Sequence, residues 1–214
     1  MDVLNFIYTH KIVAISRQVY GDGLLKAAEK LIEKGVRLLE VTFDQNSAEC
    51  LVDTPESIRL IKTRLGDQIC VGAGTVMTCE QARAAQQAGA DFALAPNVDC
   101  EVIAEIKKLG LIAVPGALTP SEIATAYNAG ADIVKVFPVA NLGADYLKAI
   151  RGPLNHIPLM AVGGVNASNL KSFLDAGCCS AGIGSNLISK KRVQAGEFSA
   201  ISQAAAELVA AAGK

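Results

Sequence analysis

A lysine stands in the middle of the run Ile133-Val134-Lys135-Val136-Phe137-Pro138, whose other members are all apolar. Its side chain must point into the interior of a sheet or into the layer between sheet and helices, and both are poor places for an ammonium. Desolvation favours the neutral amine and lowers its pKa toward the range in which it attacks carbonyls. The plainer role is structural: a lysine that snorkels at a strand end or pairs with a carboxylate. Glu40, in Leu38-Leu39-Glu40-Val41-Thr42-Phe43, is the second charged intruder in an apolar run. Beside a buried lysine it is a salt-bridge partner, or the acid/base group that moves a proton next to an iminium, and the two roles are compatible. Two glycine-rich turns follow later, Val162-Gly163-Gly164-Val165-Asn166 and Gly182-Ile183-Gly184-Ser185-Asn186. Backbone N–H groups exposed in such turns suit an anion, phosphate above all, although a tight turn needs glycine without any ligand.

These residues depend on a regular scaffold. Short β-rich runs recur at Lys11–Ser16, Leu38–Phe43, Ile69–Gly72, Phe92–Ala95, Ile112–Pro115, Ile133–Phe137, Leu159–Val162 and Ala181–Ile183. Between them lie helical patterns with recognisable ends. Asp22–Lys34 carries Leu24, Leu25, Ala28, Leu31 and Ile32 on one face and is followed by Gly35. Thr78 with Gln81, and Thr119-Pro120 with Glu122, read as capped helix starts, closed by Gly89 and Gly130. Asn166-Ala167-Ser168-Asn169 opens a further helix that stops at Gly177. Gln87-Ala88-Gly89-Ala90-Asp91 and Asn128-Ala129-Gly130-Ala131-Asp132 are near-copies, as repeated β/α units require. Strict alternation with apolar strands implies a parallel sheet covered by helices. Eight units favour one (β/α)8 TIM-barrel domain over residues 1–214, with a doubly wound open sheet as the alternative. Chemistry then belongs at the C-terminal strand ends: Arg17, Glu40, Thr75, Asn97, Lys135, Gly163 with Gly164, and Gly184 with Ser185.

Bulk properties narrow the function. A net charge of -1 gives no reason to expect nucleic acid or an anionic membrane as partner, so a functional cation must act singly. The start MDVLNFIYTHKIVAI lacks the marks of a secretion signal, and no apolar run approaches the roughly 18 residues of a membrane span, so the chain is expected in the cytoplasm. The six cysteines, at 50, 70, 79, 100, 178 and 179, have no C-x-x-C spacing. They are expected reduced and mostly buried, and Cys178–Cys179 would make a strained bridge. With only His10 and His156, neither a metal site nor a cofactor is expected.

The segments GVRLLEVTF, VGAGTVM, ALAPN, AVPGALTPSE, IVKVFPVANLG, AVGGVNASNL and AGIGSNL follow one another in family order and spacing. In them the chain resembles the 2-keto-3-deoxy-6-phosphogluconate / 4-hydroxy-2-oxoglutarate (KDPG/KHG) aldolases and their phosphogalactonate branch. The resemblance implies a class I, metal-independent lyase, homotrimeric as a rule, that splits such a sugar acid into pyruvate and glyceraldehyde 3-phosphate, or 4-hydroxy-2-oxoglutarate into pyruvate and glyoxylate. It implies that Lys135 forms the carbinolamine and iminium and that Glu40 shuttles protons through water. By the same resemblance Thr75 binds the pyruvyl carboxylate, Pro96 and Phe137 line the site, and Gly163, Gly164, Gly184 and Ser185 hold phosphate. One position departs: Asp44 stands where many relatives carry arginine. Arg17, as in the phosphogalactonate branch, is then the candidate to hold the carboxylate, against the reading of a solvated surface arginine. Two other functions remain to be weighed. A phosphosugar isomerase or epimerase would not need Lys135, and an inactive barrel acting as a binding protein would turn nothing over.

Overall fold

The computed structural model of the chain describes residues 2–213. Nine short strands build one sheet: β1 (Ile12–Ser16), β2 (Leu38–Thr42), β3 (Cys70–Gly74), β4 (Phe92–Leu94), β5 (Ile112–Val114), β6 (Gly116–Ala117), β7 (Val134–Val136), β8 (Leu159–Val162) and β9 (Ser180–Ile183). Their order is β5-β4-β3-β2-β1-β9-β8-β7-β6, and every pairing is parallel. Nine replaces the expected eight because Pro115, which has no N–H to give to a ladder, divides one run into β5 and β6. These halves end the sheet on either side, and the chain itself joins them. The N–H of Lys135 donates to the Pro115 carbonyl at 2.9 Å, and that of Asp132 to Ala113 at 3.0 Å. The sheet therefore closes into a (β/α)8 barrel, and the open doubly wound alternative is excluded.

Alternation along each strand sorts the side chains. Leu39 and Val41 of β2 face the helix layer, as do Val134 and Val136 of β7. Leu38 and Ile133 join Val13, Ile15, Phe92, Leu94, Val114, Met160 and Val162 inside the barrel. With a period of two, Glu40 and Lys135 fall on that inner side. The interior is crowded enough that a methyl group at Gly72 would overlap the Phe92 ring.

Around the sheet run α2 (Gly21–Glu33), α3 (Cys50–Leu65), α4 (Cys79–Gln87), α5 (Cys100–Lys108), α6 (Pro120–Asn128), α7 (Gly143–Arg151), α8 (Leu170–Asp175), α9 (Lys190–Gln194) and α10 (Phe198–Ala211). A further helix, α1 (Val3–His10), is capped by Asp2 and leads directly into β1. It buries Ile7 in the barrel's inner cluster and so closes the end opposite the loops that follow the strands. Thr119 and Glu122 form both arms of a capping box. At Thr78 only one arm forms, because Gln81 reaches past it to the N–H of Met77. α8 begins at Leu170, later than expected from Asn166. There the Asn166 side chain accepts from Ser168 N–H at 2.9 Å, and Asn169 Oδ1 accepts from Asn166 N–H at 2.8 Å, a turn that competes with the helix.

The repeated Gly-Ala-Asp phrases make one device twice. Asp91 Oδ2 accepts the N–H of Val71 at 2.8 Å and pairs with Lys62 at 2.9 Å. Asp132 Oδ2 accepts the N–H of Ala113 at 2.8 Å, while its Oδ1 pairs with Lys107 at 2.6 Å. Each aspartate ties the start of a strand to its neighbour. The six cysteines are all free, but only Cys70 and Cys178 are buried, which corrects the expectation that most would be. Cys50, Cys79 and Cys100 lie at the starts of helices, where packing on the sheet is incomplete. No helix among the described residues is long and apolar enough to cross a membrane.

Candidate active site

Lys135 is 4% exposed and Glu40 2%, the two charged side chains that are buried among the described residues. They make no ion pair with each other; Lys135 Nζ lies 4.9 Å from the centroid of the Phe137 ring. Glu40 has room only because position 74 is glycine: a methyl there would overlap Glu40 Oε1. Its Oε2 is buried and has no hydrogen-bond partner among the described residues. Burial raises the Glu40 pKa above the usual carboxylate range, against the pull of Lys135 and Arg17. Burial likewise lowers the Lys135 pKa; Glu40 opposes that shift and the Arg17 charge adds to it. Both groups are pushed toward their neutral forms, a nucleophilic amine beside a protonatable carboxyl group.

Above this pair the strand ends form two cavities that share Arg17. One, of about 360 Å³, is lined by Arg17, Phe137, Gly163, Gly164, Gly184 and Ser185, with Asn186, Ser189 and Lys190 among the rest. The other, of about 500 Å³, is lined by Arg17, Gln18, Asp44, Gln45, Thr75 and Pro96, together with Thr42, Phe43 and Asn46. Of the residues singled out from the sequence, Arg17, Thr75, Pro96, Phe137 and the turn residues Gly163, Gly164, Gly184 and Ser185 line these cavities, and Glu40 and Lys135 lie in the interior beneath; Asn97 is exposed and lines neither cavity. Arg17 is exposed and makes no hydrogen bond or ion pair within the described residues, so its guanidinium is free for an external anion. Asp44 is engaged elsewhere: it accepts from Gln18 Nε2 at 2.8 Å and from the N–H of Asn46 at 3.1 Å.

The glycine turns have the features an anion needs. Gly163 and Gly164 have φ of 95° and 77°, conformations that only glycine adopts cheaply. The N–H groups of Gly164, Val165, Ser185 and Asn186 donate to nothing within the described residues. Asn186 Nδ2 donates to the Val165 carbonyl at 3.0 Å and ties the two turns together.

Three contributors escaped the sequence reading. Lys190 brings an exposed, unpaired cation to the cavity that holds the glycine turns. Gln45 and Gln81 bind the turn at Thr75, whose φ of +55° is a strained conformation for a β-branched residue, costing on the order of 1–3 kcal/mol. A basic residue soon after the last glycine turn was the one signal available for Lys190. Gln45 gave none, and Gln81 offered only its spacing from Thr78, which reads as a helix cap.

A family model described as KDPG and KHG aldolase matches residues 3–204. The chain is 36% identical to the 2-dehydro-3-deoxy-6-phosphogalactonate aldolase of Escherichia coli K12, over 82% of this chain and 83% of that protein. A solved native KDPGal structure superposes with a TM-score of 0.85 at 33% identity, covering 94% of each chain. The KDPG aldolase of Legionella pneumophila, solved with pyruvate captured at low pH as a covalent carbinolamine intermediate, superposes with a TM-score of 0.84. It is 25% identical, over 96% of this chain and 97% of that one.

Proposed function

The chain belongs to the KDPG and KHG aldolase family and is a carbon–carbon lyase, and from that premise we propose that it cleaves a 2-keto-3-deoxy-6-phospho sugar acid to pyruvate and glyceraldehyde 3-phosphate through a Schiff base on Lys135. The observation that carries this reading is the buried Lys135–Glu40 pair, with both members displaced toward neutrality. The Lys135 amine attacks the C2 carbonyl, and loss of water from the carbinolamine leaves an iminium. Glu40, through water, takes the proton of the C4 hydroxyl. The C3–C4 bonding pair then moves into C2–C3, the iminium nitrogen recovers its lone pair as an enamine, and the aldehyde departs. Reprotonation at C3 and hydrolysis release pyruvate and restore the lysine.

In this reading Arg17 and Thr75 hold the carboxylate, with Pro96 in the same wall, and Phe137 lies against the Schiff base. The free N–H groups of the glycine turns, Ser185 and Lys190 receive the phosphate. 4-Hydroxy-2-oxoglutarate would place the same pyruvyl carboxylate on Arg17 and Thr75 and release glyoxylate from the opposite, acceptor end. The whole chain acts as one cytoplasmic catalytic domain, without metal or cofactor. Its membership of the family supports assembly into a homotrimer.

The test is pyruvate release from the phosphogluconate-type and phosphogalactonate-type acids. We expect turnover on at least one of them, abolished in Lys135→Ala, and in Arg17→Ala a KM raised about 10- to 100-fold, the scale of a lost charge-assisted contact. An unchanged KM in Arg17→Ala would return that residue to the solvated surface. No release from either acid by folded protein would reject the substrate class.

A further inference from the structure

Thr75 leaves β3 in the left-handed region, which its branched side chain resists, so other groups must hold it there. Two side-chain amides do. Gln45 Nε2 donates to the Thr75 carbonyl at 2.9 Å, and Gln45 Oε1 accepts from Gln81 Nε2 at 3.0 Å. Gln81 Oε1 in turn accepts the backbone N–H of Met77 at 2.8 Å. The chain of bonds starts and ends on one three-residue turn. Its direction has only one solution, because the carbonyl needs a donor and the N–H needs an acceptor. Gln81 is 5% exposed and anchored on the first turn of α4, so the inner amide is rigid. Val76, between the two clamped residues, donates its N–H to Leu94 at 2.9 Å and fixes the turn to β4.

Thr75 directly follows Gly74, the glycine whose missing side chain leaves room for Glu40. The clamp thus governs the Thr75 hydroxyl in the cavity wall and the bed of the acid/base beneath it. We propose that Gln45 and Gln81 are positioning residues that preset Thr75 for the pyruvyl carboxylate by bonding to its backbone turn. The proposal rests on the reading of Thr75 as a carboxylate-binding residue. Gln45 itself is exposed and belongs to the loop after β2, so its bond also couples that loop to the loop after β3.

Borohydride trapping of pyruvate at a series of pyruvate concentrations reads carboxylate binding without any aldehyde. Gln45→Met keeps the length of the side chain and adds no charge beside the carboxylate site, but removes the donor at the Thr75 carbonyl; its exposed position leaves folding intact, which a thermal melt verifies. Half-saturation is expected to rise about tenfold, as for one lost hydrogen bond, while trapping at saturation changes little. In a Thr75→Gly background, where the left-handed turn needs no clamp, the same substitution is expected to add almost nothing. Unchanged half-saturation in Gln45→Met overturns the proposal. So does an equal rise in the Thr75→Gly background, which would make Gln45 a direct ligand of pyruvate. A wild type that traps no pyruvate at all overturns the Schiff-base reading itself and takes the clamp's proposed role with it.

Discussion

Lys135 and Glu40 are each costly alone and useful together. Burial works against both charges, and each partially restores the other's, so the pair holds a proton that either can give up. A sign follows for the pH dependence of Schiff-base formation. Glu40 raises the Lys135 pKa and Arg17 lowers it; replacing Glu40 by glutamine removes the raising influence and leaves the lowering one. The acid limb of the trapping rate against pH, which requires the free amine, should therefore move to lower pH in Glu40→Gln, with a smaller plateau for want of the acid/base. A limb that stays in place or moves upward would contradict the assigned coupling. Both residues were legible because a charge inside an apolar β-run is conspicuous wherever it points. Gln45, Gln81 and Lys190 were not, since a polar residue in a loop or at a helix start is the ordinary case and its type says nothing of its partner.

Each element contributes by fixing where one strand end lies relative to the next. Asp91 and Asp132 set two such registers, and their carboxylates do so chiefly through backbone N–H groups. Asp132→Ala leaves the Ala113 N–H without its partner, and a loss of about 1–3 kcal/mol is expected from the urea midpoint. Lys107→Ala removes only the partly exposed ion pair and should cost less than about 1 kcal/mol. Equal losses would mean that the salt bridge, rather than the backbone contact, carries the stability. The Gly-Ala-Asp repetition was visible in the sequence as a mark of β/α units, but its clamp was not, because the bond joins residues about twenty positions apart. The split of β5 from β6 at Pro115 and the late start of α8 are likewise local backbone chemistry, which a pattern of apolar residues does not register. α1 went unread although Val3, Phe6 and Ile7 stand at helical spacing, because a single short helix ahead of the first strand lies outside the β/α alternation.

For the molecule as a whole, closure of the sheet decides the function. Only in a closed barrel do the ends of β1, β2, β3, β7, β8 and β9 converge, bringing Arg17, Glu40, Thr75, Lys135 and the two glycine turns to one mouth. The count of β/α units and the apolar strands made that closure legible in the sequence. The shape of the mouth, two cavities meeting at Arg17, depends on loop conformations that no periodicity encodes. The central claim is that Lys135 bonds covalently to a 2-oxo acid, and intact mass after incubation with pyruvate and borohydride tests it most directly. A single pyruvate-sized increment in the wild type, absent from Lys135→Ala, is the predicted result. A folded wild type without the increment, or an increment that persists in Lys135→Ala, would contradict it.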